Sequence, residues 1–540
     1  MSKKNERPGM TGSIQVDKPR EISLKILYDI NEKAAFTSEA IDRYLSSYVS
    51  SNTNQSSHSS QPINSNQSIY SSQPINSNQS IYPSQSIHSN QSIHSSKSSH
   101  SSQPAHQRHT LLSGYVRSPM QQDQLNKAFI TEIVLTTIKW KGTLDFIIDI
   151  FTKVKINKIS PWILNIIRMG IAQMRYMNKI PPSAAVNESV KLAKKYGHMA
   201  SAAFVNAMLR AIITGTGRID EAISALEGNK KLAVIHSHPL WLIERWTERY
   251  GQDFTISLME ANNKNPGLTL RVNTLKTSVS DFIHLLDENG IKEAQTGRHL
   301  PSETVVLTTP VGNPAHLPGF KEGLFQVQDE SSVLVSKILD PQPGEFIIDL
   351  CSAPGGKSTH IAQLMKNSGK VLAWDLYPER AELVAKAAKR LKLSIIEASL
   401  QNAMEPVPEY FCKADRVLAD VPCSGFGIIR KKPDIKWSKK EEDIALLAKT
   451  QLSILNAAAL YLKPGGVLVY STCTLEPEEN AMIIEAFLEM NPEFHKDPIE
   501  PYLPSTLKQR LTNPHSSYSI QIFPHVDFSD GFFIARLKYL

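Results

Sequence analysis

Phe346-Ile347-Ile348-Asp349-Leu350-Cys351-Ser352-Ala353-Pro354-Gly355-Gly356-Lys357 is the stretch that decides the fold. Its apolar first half reads as a buried strand, small residues then break the chain, and a helical pattern begins near Lys357. The same alternation continues downstream. Strands are predicted at Val371–Asp375, Ser394–Glu397, Arg416–Asp420 and Val467–Ser471, with helices starting near Glu379, Lys440 and Glu478. Strands that alternate with helices run parallel and are joined by right-handed crossovers. Tyr518–Phe523 and Phe532–Leu537 are strand patterns with only a short loop between them, so the last strand is expected to pair antiparallel.

The turn after the first strand can hold a ligand. Small residues let the backbone approach a bound molecule closely. The amino end of the following helix favours an anionic group such as a carboxylate. The spacing is not that of a phosphate-binding P-loop. Asp375 closes the second strand, about twenty residues past the glycines, where an acid accepts hydrogen bonds from a ribose. This suits any nucleoside-containing cofactor and selects none.

Two cysteines stand 50 residues apart at the ends of the fourth and fifth strands: Cys423 in Asp420-Val421-Pro422-Cys423-Ser424 and Cys473 in Tyr470-Ser471-Thr472-Cys473-Thr474. The chain has only four cysteines. Any one thiol alone would most simply be a buried core residue. Both at the carboxyl ends of strands in one sheet, where open α/β sheets bind ligands, indicate covalent chemistry with one thiol attacking and the other assisting release. No C-x-x-C pair is present and no histidine neighbours either thiol in sequence, so metal binding is not expected.

The net charge is +7, and part of it is concentrated. Arg430, Lys431, Lys432, Lys436, Lys439 and Lys440 fall within eleven residues around Trp437, with Asp434 the only acid among them. Basic residues around an aromatic suit a polyanion whose bases can stack. The amino-terminal residues lack a signal-peptide core, and no apolar run approaches the ~20 residues that span a bilayer. A soluble cytoplasmic protein is expected.

Upstream of the sheet, apolar residues recur at helical spacing in Ile22–Ile30, Ala128–Trp140, Leu144–Phe151, Pro161–Tyr176, Ser183–Tyr196 and Ala200–Ile213. Pro161 suits a first helical turn with Ser160 as its N-cap. Between the first two of these patterns, Ser59–Tyr70 repeats unchanged as Ser71–Tyr82 within a Ser/Gln/Asn-rich tract too poor in large apolar residues to bury a core. The expected organisation is a disordered start at 1–19, an all-α domain from 20–45 and 109–215, a disordered insertion at 46–108, a linker helix and small α+β module at 216–322, and the α/β domain at 323–540. Within the module, a helix carrying Trp241 and Trp246, a strand at Leu268–Asn273, a helix near Val279–Glu288 and a strand near Thr304–Leu307 are predicted.

Asp349–Lys357, Asp420–Gly427 and Tyr470–Asn480 resemble the motifs of the RNA 5-methylcytosine methyltransferases, which carry both a Pro-Cys and a Thr-Cys motif. Within them the chain is similar to the bacterial Sun/Fmu-type small-subunit rRNA enzymes. The similarity extends to Gly427–Trp437, Leu270-Arg271-Val272-Asn273-Thr274, Gln326–Ser332 and Asp530-Gly531-Phe532-Phe533, and Pro181–Arg210 resembles a NusB-like RNA-binding domain. The resemblance implies a multi-domain protein: an all-α NusB-like domain, a small α+β RNA-binding module, and an α/β Rossmann-like methyltransferase domain with a mostly parallel seven-stranded sheet. It implies S-adenosyl-L-methionine as cofactor, 16S ribosomal RNA as partner, no metal, no membrane and a monomer. The cofactor residues would be Cys351, Ser352, Ala353, Pro354, Gly355, Gly356, Lys357, Asp375, Asn402 and Asp420, with Asn402 standing where the family usually has an acid. The RNA residues would be Arg430, Lys431, Lys432, Lys436, Trp437, Arg271 and Asn273. Cys473 would attack cytosine C6, Cys423 would assist product release, and Asp420 would orient the base. The alternatives are the same chemistry on another rRNA position or on tRNA, and a non-catalytic NusB-like RNA-binding factor.

Overall fold

The computed structural model describes residues 15–53, 119–309, 311–511 and 517–540. A helical region comes first: α1 (Lys18–Lys33), α2 (Thr37–Thr53), α3 (Pro119–Lys139), α4 (Lys141–Phe151), α5 (Pro161–Tyr176), α6 (Pro182–Tyr196), α7 (Met199–Thr214), α8 (Thr216–Ser224), α9 (Gly228–His236), α10 (Leu240–Tyr250) and α11 (Gln252–Asn263). α1 starts where Asp17 accepts the Arg20 N–H at 3.0 Å, and it buries Ile22, Leu24, Ile26 and Leu27. Pro161 opens α5 as predicted, but Ser160 makes no side-chain cap bond. α2 extends to Thr53, so the expected insertion boundary at Ser46 falls inside a helix. Residues 54–108 of the insertion and 1–14 of the expected disordered start lie outside the described residues.

A four-stranded antiparallel sheet follows, ordered β2-β3-β1-β4, from β1 (Leu268–Val272), α12 (Val279–Glu288), β2 (Ala294–Thr296), β3 (Thr304–Leu307) and β4 (Phe325–Val327). Next come α13 (Glu330–Leu339), β5 (Phe346–Asp349), α14 (Gly356–Leu364), β6 (Lys370–Asp375), α15 (Pro378–Leu391), β7 (Ile396–Leu400), β8 (Ala414–Asp420), α16 (Ile435–Ser438), α17 (Glu441–Ala459), β9 (Leu462–Thr472), α18 (Ala481–Met490), β10 (Phe494–Lys496), β11 (Ser519–Ile522) and β12 (Phe532–Tyr539). β7, β6, β5, β8 and β9 lie side by side and parallel, and β12 joins β9 antiparallel. The outermost position is split: β11 pairs Phe532–Ala535 and β10 pairs Leu537–Tyr539, so the sheet holds eight strands where a seven-stranded arrangement is expected. The order reverses between β5 and β8, which opens the sheet at its carboxyl edge.

The basic run does not form a free cationic surface. Lys436 is fully buried, and its Nζ donates to the carbonyls of Lys139 at 2.9 Å and Ser237 at 2.8 Å. Burial, and then the nearby Lys139, hold its pKa well below the ordinary lysine range. Trp437 packs against the helical core, and its Nε1 donates to the Ile138 carbonyl at 2.7 Å. Arg430 and Lys431 form ion pairs with Asp329 and Asp530. Arg271 and Asn273 are also interior. Arg271 donates to Gln328, to the Gly356 carbonyl at 2.5 Å and to Thr359 Oγ1 at 3.1 Å. Asn273 Nδ2 donates to the Gly323 carbonyl at 3.0 Å. The expectation that Lys436, Arg271 and Asn273 touch RNA is therefore corrected. All three are buried, and the hydrogen bonds they make join one part of the chain to another, which keeps them from a solvent-side ligand.

Candidate active site

β8 and β9 set the centre of the site. Their register places Asp420 beside Ser471, whose Oγ donates to Asp420 Oδ1 at 2.6 Å. Lys357 reaches from the first turn of α14 and places Nζ 2.7 Å from Asp420 Oδ2. Just beyond the strand ends, Cys423 Sγ and Cys473 Sγ are 3.3 Å apart. The Cys473 N–H also points at Cys423 Sγ, at 3.3 Å. The contact with Cys473, and then burial, raise the Cys423 thiol well above the ordinary range.

Glu479 ties the two thiol loops together. Its Oε2 accepts the Ser424 N–H and the Gln451 amide, each at 2.8 Å, and its Oε1 accepts Ser424 Oγ. Ser424 Oγ in turn lies 2.6 Å from Thr474 Oγ1. Gly427 donates its N–H to the Cys473 carbonyl, and a Cβ there would fall 2.1 Å from the Gly531 oxygen, so only glycine fits. On the far side of the loop the buried Glu476 is held by Arg245 at 2.5 Å, Arg249 at 2.8 Å and Trp246 at 3.0 Å. Glu479, Ser424 and Ser471 were not singled out from sequence. All three lie within motifs that were, but clamping roles depend on partners on other strands.

A cavity of about 280 Å³ opens over this centre. Its wall includes Ser352, Ala353, Pro354, Gly356, Lys357, Asp420, Cys473, Lys431 and Lys432. Of the two paired thiols, Cys473 lines the cavity and Cys423 does not. Cys351, Gly355, Asp375 and Asn402 do not line it either. Asp375 nevertheless holds the turn: its Oδ2 accepts the Ala353 N–H at 3.2 Å. Asn402 is occupied elsewhere, donating to Glu405 Oε1 at 2.8 Å and accepting the Met404 N–H at 3.1 Å. Burial, with the Asp349 and Asp420 carboxylates nearby, pushes the Cys351 thiol up, so it is no nucleophile.

The residues fit a methyl donor with an amino-acid end. Gly355 takes φ +97°, and a Cβ there would lie 3.1 Å from Val384 Cα, so the turn is built tight against α15. α14 begins with no side-chain cap, leaving its first N–H groups for a carboxylate. Below the turn Asp349 is fully buried, with one oxygen taking Ser358 Oγ at 2.6 Å and the other unpartnered. Burial pushes its pKa from 3.8 up to about 7. The native state therefore binds a proton there that the unfolded chain releases. That stabilisation is complete below about pH 4 and is lost as pH rises through 7. Thermal melts should show the wild type losing ground to Asp349→Asn between pH 5.5 and 8; a constant offset would contradict the assignment.

Residues 336–538 match the family model for 16S rRNA methyltransferase RsmB/F, residues 92–214 the NusB family, and residues 238–312 the ferredoxin-like domain of RsmF/B-like methyltransferases. The probable ribosomal RNA small subunit methyltransferase B of Bacillus subtilis (strain 168) is 38% identical over 434 residues, covering 79% of this chain and 94% of its own. The corresponding Synechocystis sp. protein is 39% identical over 420 residues, covering 76% and 91%. The ribosomal RNA small subunit methyltransferase B of Klebsiella pneumoniae subsp. pneumoniae is 35% identical, covering 78% and 93%. The crystal structure of PH0851 superposes with a TM-score of 0.64 at 28% identity, covering 78% of this chain and 95% of that one.

Proposed function

Since this chain belongs to the S-adenosylmethionine-dependent RsmB/F family of 16S rRNA methyltransferases, we propose that it methylates C5 of one cytidine in small-subunit rRNA, through a transient bond from Cys473 to C6. The observation that carries this reading is the asymmetry of the thiol pair: the sulfurs are 3.3 Å apart, yet only Cys473 faces the cavity.

C5 of cytosine is a weak nucleophile. Attack of the Cys473 thiolate on C6 forms a carbon–sulfur bond and moves the C5–C6 π electrons onto the ring, making C5 enamine-like. The donor, when bound, supplies an electrophilic methyl group on a sulfonium. Asp420, steadied by Lys357 and Ser471, holds the N3/N4 edge and stabilises N3 as it becomes protonated. After transfer, C5 carries both a methyl group and a proton. Cys423, directly or through a base, assists removal of that proton; its electron pair restores the C5–C6 double bond and expels the Cys473 thiolate. The target base must leave its stack to reach this site, which costs a few kcal/mol and less in a loop. Lys432, on the cavity wall, steers the RNA backbone toward it. The protein works as a monomer in the cytoplasm.

A small-subunit rRNA transcript tritiated at cytosine C5 tests the reading. One tritium should be released per methyl group incorporated, with 5-methylcytidine recovered at one position. Methyl incorporation with the tritium retained would overturn it.

A further inference from the structure

The catalytic cavity does not end at the thiols. It runs on to α2 and α3 of the helical region, where Thr37, Ser38, Ile41 and Leu135 line the same space as Cys473, Asp420 and Lys357. Opposite the start of α2 stands Asp434, whose Oδ2 receives the Thr37 N–H at 3.4 Å. The pairing is incomplete. Thr37 Oγ1 and Asp434 Oδ1 are both buried without a hydrogen-bond partner, and their residues are 4% and 8% exposed. An unsatisfied buried polar atom costs free energy, so two of them on residues that line one cavity mark a place for a ligand group.

The two atoms define what that group must be. The carboxylate repels a phosphate, and neither atom on its own reads a base. A hydroxyl that donates to Asp434 Oδ1 and accepts from Thr37 Oγ–H satisfies both at once. Ile41 and Leu135 supply an apolar wall beside it. Building on the RNA methyl-transfer reading above, we propose that Thr37 and Asp434 form a ribose subsite that takes the 2′-hydroxyl of the target nucleotide or an immediate neighbour. The helical region thereby completes the catalytic cavity and makes it selective for RNA over DNA.

The test uses the full-length enzyme and a synthetic oligoribonucleotide spanning the mapped cytidine. It is compared with versions carrying a single 2′-deoxy substitution at the target, the preceding or the following position. One of these should lower wild-type kcat/KM by about tenfold. Thr37→Val and Asp434→Asn should lose a similar factor on the all-ribose substrate and become indifferent to that one deoxy position, while Thr37→Ser restores the sensitivity. A merely structural seam would leave the deoxy penalty intact in both variants, and that result overturns the subsite. So does a wild type that forms 5-methylcytidine yet loses less than about twofold at all three positions; in that case the methyl-transfer reading stands. A wild type that forms no 5-methylcytidine at all removes both.

Discussion

Replacing Cys473 with alanine will abolish methyl transfer, lowering the single-turnover rate by roughly 10⁴-fold or more, the scale on which loss of a covalent nucleophile is felt. Replacing Cys423 will do something different. Attack and transfer remain available, but release is impaired, so an enzyme–RNA adduct that survives denaturing electrophoresis should accumulate. The geometry supports this division. Cys473 is on the cavity wall, and Cys423 sits behind it, 3.3 Å away, with the Cys473 contact and burial raising its thiol above the ordinary range. The roles are reversed if the Cys473 variant accumulates adduct and the Cys423 variant does not. That outcome would align the chain with DNA cytosine methyltransferases, in which the Pro-Cys thiol attacks.

The largest effect on stability is expected from Asp329→Ala. This carboxylate is buried, with Oδ2 2.6 Å from Lys431 Nζ and 3.5 Å from Arg430 Nη2, and with Oδ1 accepting the Asp530 N–H at 3.0 Å. Burial works against its charge, but Lys431 and Arg430 outweigh that and hold its pKa far below the usual carboxylate range. Removing it leaves two partly buried cations to Asp530 alone, at a cost of about 3 kcal/mol. The urea midpoint followed by tryptophan fluorescence measures this loss, and a change under about 1 kcal/mol would show that the cluster does not stabilise the fold. Because the folded pKa is depressed, the contribution is present above the unfolded value of 3.8 and fades only as pH falls below it.

How far the sequence could be read depended on where the physical signal lay. Buried parallel strands read as unbroken apolar runs, and Val371-Leu372-Ala373-Trp374 and Val417-Leu418-Ala419 were placed correctly for that reason. β7 sits at the sheet edge and none of its residues is fully buried, so the prediction at Ser394–Glu397 began two residues before Ile396 and missed its end at Leu400. The carboxyl half of α2 is Ser-rich and offers little apolar periodicity, which hid the helix; Thr37, Ser38 and Ile41, its residues on the cavity wall, are in the amino half and carry no local signal of that role. Local order in the thiol motifs announced the two cysteines that the fold brings within 3.3 Å of each other. The basic run misled because charge density carries no information about distant partners. Lys431 meets Asp329 and Asp530 at separations of 102 and 99 residues, and Lys436 meets Lys139 at 297.

The seating of Trp437 and Lys436 in the helical region bears on protein engineering. A truncated version beginning at the sheet would carry an uncovered indole and lose the acceptors that seat Lys436, so it should be less soluble when produced alone. Swapping amino-terminal halves between homologues to retarget the enzyme would meet the same obstacle unless the socket for those two side chains were transplanted too.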